Sequence, residues 1–269
     1  KAEADAYNEA IDAQINEVDP SKEVRKMSLL EVNARYALAY DKFIEKYGYD
    51  AIAVSCWPKF QDDYLFSVCA VVGEINDKGV VCGCEGDLTS TISQLLLSYI
   101  AEDITMLMDL SAMDETDDSI MMWHCGPAAK RFCEKKGYSY SLNYSGKDHE
   151  GRDLDHAVGT GITRDMVFDD DVYTIARLTG ESNKMFLASG VMQDGSKASY
   201  NGSRGWLGQL KLNRKDISAL DFFNTIMVQG FQHHFPMVKG DYTEEVMEVM
   251  AWLELKPVEE VPYENYLQR

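Results

Sequence analysis

The chain has 269 residues, of which 45% are hydrophobic and 26% charged; this is ordinary globular usage and excludes a disordered chain. Its 26 basic and 45 acidic residues give a formal net charge of −19, a field that repels phosphate backbones and anionic lipid heads, so no nucleic-acid or membrane-surface partner is expected. No apolar run approaches the roughly 20 residues of a membrane helix, and no signal or transit segment follows Lys1, so a cytoplasmic protein is expected, its acidic opening reading like the interior of a longer chain.

Residues 2–18 are helix-like and end at Pro20. From Ser21 to Tyr47 apolar residues recur at helical spacing (Val24, Met27, Leu30, Ala34, Leu38, then Ile44), and Gly48 stands where a helix C-terminus favours glycine. Ala51–Cys56 and Val80–Cys84 are short apolar runs suited to strands buried on both faces. A helix is expected over Asp62–Asp77 and another over Thr89–Glu102. Ile104–Met108 and Ile120–Trp123 read as third and fourth strands. Such alternation points to a layer of parallel strands.

From Gly151 the texture changes. Val172–Leu178, Lys184–Val191, Gly205–Leu212 and Thr225–Gln229 are β-like between polar clusters, and a helix over Thr243–Leu255 closes the chain before Pro257. The expected architecture is α/β, a parallel-sheet, partial Rossmann-like domain over 1–150 followed by a mainly antiparallel, β-barrel-like domain over 151–269. Ser145–Asp155 is the expected linker. Of Cys56, Cys69, Cys82, Cys84, Cys125 and Cys133, the residues Cys56, Cys82 and Cys84 lie within or beside apolar β-like runs, and the chain is long enough to need no staples, so the cysteines are expected reduced.

Chemistry concentrates at strand ends. Glu85 directly follows a buried strand, where ligands gather in open α/β sheets, and an unpaired buried carboxylate is costly unless it has a use. Asp109 and His124 fall at the ends of the next two strands. Asp87 precedes a helix and suits its N-cap. His233-His234 follow a β-like run; on a strand only one of them would face a site, because side chains alternate. The acidic runs Asp114–Asp118 and Asp169–Asp171 lack calcium-loop spacing and read as solvated.

Several motifs together resemble the L-fucose/L-arabinose isomerase family: Cys56-Trp57-Pro58, Cys84-Glu85-Gly86-Asp87, Met108-Asp109, Trp123-His124-Cys125-Gly126, Ser203-Arg204-Gly205 and the run His233–Gly240. They extend from about Val32 to the closing helix. The resemblance implies a metal-dependent aldose–ketose isomerase, usually with manganese (Mn2+), acting on a deoxy- or pentose-type sugar. It implies that Glu85 and Asp109 bind the metal and flank the sugar carbons that exchange a proton, and that His234 completes the ligand set. His233 matches a sugar-contacting position. His124 matches a second histidine that arabinose-type members use and fucose-type members do without. Trp57 is placed either to stack on the sugar or to pack.

Full-length members carry further N-terminal chain, and neighbouring subunits shape the pocket. The resemblance therefore implies a homo-oligomer, a trimer or hexamer, or a companion chain supplying the N-terminal part. The other reading is a non-catalytic sugar-binding or regulatory relative on the same scaffold.

Overall fold

Residues 23–60, 66–142, 161–179 and 183–264 are described by the computed structural model of the protein. Helix α1 (Glu23–Tyr47) occupies the segment of helical apolar spacing, and Gly48 ends it at a φ of 63°. Strands β1 (Ala51–Ala53) and β2 (Val81–Gly83) pair in parallel. Between them in sequence runs α2 (Cys69–Asp77), buried from Cys69 to Asn76, and after β2 comes α3 (Leu88–Ala101). Gly83 lets α3 lie close, since a Cβ there would meet Thr91 Oγ1 at 1.9 Å.

β3 (Thr105–Asp114) and β4 (Ser119–His124) correct the expectation of a continuing parallel layer, for they pair antiparallel. Only residues 115–118 join them, and so short a connection suits a hairpin, whereas parallel neighbours need a crossover of about a dozen residues or more. The parallel, Rossmann-like part is therefore reduced, among the described residues, to β1 and β2.

β7 (Val172–Leu178), β8 (Lys184–Met192), β9 (Ser203–Leu212) and β11 (His234–Lys239) complete a closed antiparallel barrel in the order β3-β4-β9-β8-β7-β11. Strands from both sides of residue 150 thus share one barrel. β6 (Ile162–Val167) lies parallel to β9 and carries β5 (Tyr138–Leu142) at its side; β10 (Lys215–Asp216) pairs with β9 and β12 (Lys256–Pro257) with β8. The expected helix over 2–18 and the linker Ser145–Asp155 lie outside the described residues.

Thr225–Gln229, expected as a strand, belongs instead to helix α4 (Ala219–Gln229). Its ends explain the difference. Ser218 accepts from the Asp221 N–H at the start, and Gly230 closes it in the left-handed conformation, so cap chemistry at both ends outweighs a local apolar run. The closing helix α5 spans Thr243–Trp252.

Alternation along β3 sorts its two faces. Met106, Met108 and Leu110 join the barrel core with Phe235, Met237, Ile175 and Phe186. Leu107 packs outward against Val54, Val71 and Cys82 of the parallel unit, and Val238 of β11 packs outward against Leu97 of α3. Asp109 shares the outward face of β3. The seam between barrel wall and parallel unit is where the candidate residues meet.

Candidate metal centre

Three elements deliver side chains to this seam. The first is the turn after β2. Gly86 N–H donates to Val54 O (3.0 Å) and Asp87 N–H to Cys84 O (3.2 Å), and between them Glu85 is held at a φ of 58°. That left-handed conformation costs a non-glycine residue roughly 1–2 kcal/mol. In exchange the turn brings Glu85 Oε2 to 3.6 Å from His234 Nε2.

The second element is the β3–β11 pair, whose register sets Asp109 directly opposite His234. Asp109 Oδ1 lies 3.4 Å from His234 Nε2. The third is the end of β4, where buried His124 brings Nε2 to 3.8 Å from the same Asp109 oxygen and lies parallel to the His234 ring, centroids 5.9 Å apart. Asp109 is thus mid-strand, whereas the sequence places it at a strand end.

His233 precedes β11, so strand alternation does not turn it away. Its side chain is 57% exposed, yet its Nε2 lies 3.8 Å from Asp109 Oδ1. Trp57 is 56% exposed, on a turn tied to the seam by Cys56 Sγ, 3.0 Å from Cys84 Sγ. It is therefore not packed in the core.

Two overlapping groups result: Glu85, His124 and His234, and Asp109, His233 and His234, each with ligand atoms within 4.8 Å of one another. Asp109 Oδ1, His124 Nε2 and His234 Nε2 are buried without a hydrogen-bond partner among the described residues. Buried polar atoms left unpaired are costly and rare. Here three of them converge beside a fourth donor, Glu85. Oxygen and imidazole donors fit a divalent first-row ion such as manganese.

Behind the site stand groups that sequence reasoning gave other roles or missed. Asp87 does cap α3, accepting from Ser90 N–H at 2.9 Å, but its Oδ2 also lies 3.0 Å from His234 Nδ1. Burial raises the Asp87 carboxyl, yet hydrogen bonds from His234 and Ser90 and the charge of Arg177 outweigh that and hold it well below the usual range. Buried Arg177 donates to Asp87 Oδ2 (3.3 Å), to Gln232 Oε1 (2.9 Å) and to the carbonyl of His234. Nothing local in the sequence joins Arg177 to Asp87; only the fold does.

Around His124, Cys125 donates its backbone N–H to Nδ1 at 2.8 Å and holds its thiol 3.2 Å away, while Cys69 Sγ lies 3.1 Å from Cys125 Sγ. Burial opposes charge on His124, but Asp109 and Cys125 push its pKa up to about 10. None of the six cysteines forms a disulfide. Of the two acidic runs, Asp114 and Asp117 pair with Lys197, whereas Asp169 is fully buried and accepts from Lys239 at 2.9 Å, so it is not a solvated residue.

No protein-family model matches the chain. Curated relatives do. A sulfoquinovose isomerase of Priestia aryabhattai is 27% identical over 226 residues, 83% of this chain and 47% of its own length. Sulfoquinovose isomerases of Alkalicoccus urumqiensis (24% identical, 95% of this chain and 56% of the relative) and of a Clostridium species (23%, 81% and 46%) are also similar. The chain spans about half the length of the curated relatives it matches. The similarity is to sugar isomerases, and it does not single out L-fucose isomerase as the nearest kind.

Proposed function

We propose that the protein is a divalent-metal-dependent aldose–ketose isomerase, most simply with manganese. The observation that carries this reading is the convergence of unpaired Asp109 Oδ1, His124 Nε2 and His234 Nε2 beside Glu85. Glu85, Asp109 and His234 would hold the ion. When bound, it would lower the pKa of the sugar's carbon acid and stabilise negative charge on the oxygens of the two carbons that exchange oxidation level.

The remaining work falls to the chain. Isomerisation moves one proton between C1 and C2 and another between O1 and O2. Glu85 and Asp109 approach His234 from opposite walls of the seam, which suits one carboxylate to carry the carbon-bound proton and the other to serve the hydroxyls. His233 and Trp57, both exposed, are positioned to meet the sugar. The relatives' name favours sulfoquinovose, a 6-deoxy sugar bearing a sulfonate, within the deoxy-sugar class that the motifs suggest.

A homo-oligomer, or a companion chain, completes this reading. It is supported by exposed Leu88, Ile92 and Tyr99 on α3 and by the cluster of exposed rings Phe43, Tyr47 and Tyr49. A cytoplasmic setting accords with six cysteines outside any disulfide; no helix among the described residues is long and apolar enough to cross a membrane.

The test is exchange of solvent deuterium into the sugar at C1 and C2 by the Mn2+-loaded protein. Wild type is expected to exchange, and Glu85→Gln and Asp109→Asn each to abolish exchange while remaining folded. Full exchange in either variant contradicts the roles given. Sugar binding that needs no metal, with no exchange in wild type, identifies a non-catalytic relative instead.

A further inference from the structure

His124 and His234 lie parallel on the same seam and both turn Nε2 toward Asp109 Oδ1. Their outer nitrogens meet opposite chemistry. His234 Nδ1 faces Asp87 Oδ2 at 3.0 Å. An ionised carboxylate only accepts, so Nδ1 must carry the proton, and in a neutral ring that leaves Nε2 with a lone pair. His124 Nδ1 faces the backbone N–H of Cys125 at 2.8 Å. A backbone N–H only donates, so Nδ1 must accept, and the ring's proton sits on Nε2.

We infer that the fold sets the two histidines in opposite tautomers, making His234 a metal ligand positioned by Asp87 and making His124 a hydrogen-bond donor to substrate oxygen rather than a second ligand. This deepens the metal-dependent reading and rests on it for its purpose, though the tautomer assignment itself comes from the hydrogen bonds alone.

The surroundings of each ring agree with its role. Asp87 is fixed from three sides: Oδ1 accepts from Ser90 N–H, and Oδ2 accepts from Ser90 Oγ and from Arg177. Arg177 also grips the His234 carbonyl, so one buried cation steadies both the orienting carboxylate and the backbone of the ligand. A carboxylate on the far nitrogen is the usual partner of a metal-bound histidine, because it fixes the ring and raises its basicity. His124 has no such carboxylate on Nδ1 among the described residues; its Nδ1 neighbours are the N–H and thiol of Cys125. Hydrogen on Nδ1 would set two donors against each other across the 2.8 Å contact with the Cys125 N–H, so the backbone holds His124 to hydrogen on Nε2 alone despite the charge of Asp109 beside it.

The tautomers are read directly by long-range proton–nitrogen NMR of histidine-labelled, metal-free full-length protein. The expected pattern is hydrogen on Nδ1 for His234 and hydrogen on Nε2 for His124. An unprotonated Nε2 on His124 would overturn the proposal, and so would an unprotonated Nδ1 on His234. Mn2+ affinity, followed by electron paramagnetic resonance, gives a second readout.

His124→Gln places an amide N–H near the position of Nε2–H and is expected to leave Mn2+ affinity within about threefold of wild type, while His234→Gln abolishes it. Asp87→Asn keeps a capping oxygen for Ser90 but turns a donor toward Nδ1, and should weaken Mn2+ by roughly 10–100-fold. A folded His124→Gln that loses Mn2+ as completely as His234→Gln would show His124 to be a ligand. Failure of wild type to bind Mn2+ would instead defeat the metal-dependent reading, leaving the NMR result to decide the tautomers.

Discussion

Asp109 and His234 are cross-strand partners, directly opposite each other on β3 and β11, with Oδ1 and Nε2 3.4 Å apart. Neither residue depends on a loop for its position. Their separation is set by the register of two barrel strands whose other faces are sealed by Met108 and Phe235 in the core. A site built on paired strands is held more tightly than one on loops, and the more adaptable member, Glu85, comes from the strained turn opposite.

That strain has a measurable consequence. Glu85→Gly removes the cost of a left-handed glutamate and should stabilise the metal-free protein by about 1 kcal/mol while eliminating isomerisation. Urea unfolding of the stripped variant checks the first part. A loss of stability would mean that the Glu85 side chain supports the turn rather than burdening it.

Away from the site, Arg164 is fully buried and bonded to Glu74 and Asp77, and Tyr140 O–H donates to Glu74 at 3.1 Å. Burial raises the Glu74 carboxyl, but the charges of Arg164 and Lys130, with hydrogen bonds from Arg164 and Tyr140, outweigh it and leave its pKa lowered. A carboxyl depressed on folding stabilises the protein above its unfolded pKa, near 4.3, and that contribution is lost as pH falls toward the folded value. Glu74→Gln should therefore cost about 3 kcal/mol at neutral pH and flatten the loss of stability below about pH 4. Denaturant melts across that range test both effects.

Gly83 makes room for α3. A methyl group there would collide with Thr91, whose hydroxyl bonds the Asp87 carbonyl at 2.7 Å. Gly83→Ala should displace the start of α3, lower the melting temperature and weaken Mn2+ binding together. Unchanged metal affinity in a destabilised variant would show that the turn holds Glu85 and Asp87 independently of the helix.

Exposed Leu88, Ile92 and Tyr99 share one side of α3 at helical spacing. If this face is an interface between subunits, Ile92→Glu combined with Tyr99→Glu shifts the native mass toward the single chain without unfolding it. An unchanged oligomer would exclude α3 from the contact.

Glu85, Asp109 and His234, singled out in the sequence, meet at one seam although part of the architecture behind them differs from the one expected. Apolar runs such as Ile104–Met108 mark a buried strand whether its neighbour is parallel or antiparallel, so from the sequence Asp109 reads as the end of a parallel strand. β3 in fact continues to Asp114 and turns back as a barrel hairpin. The bracketing caps Ser218 and Gly230 were visible signals for α4, outweighed by the run Ile226-Met227-Val228. The bond from Asp87 to His234 and the brace from Arg177 are not legible in the sequence, because each joins the start of α3 to a barrel strand far away in the chain.

The measurement that tests the central claim most directly is aldose–ketose interconversion of sulfoquinovose by the full-length protein, stripped of metal and then titrated with Mn2+. Negligible activity after stripping is predicted, returning in proportion to added Mn2+ until one ion is bound per site. Full activity in the stripped protein, with no response to added Mn2+, would contradict the account.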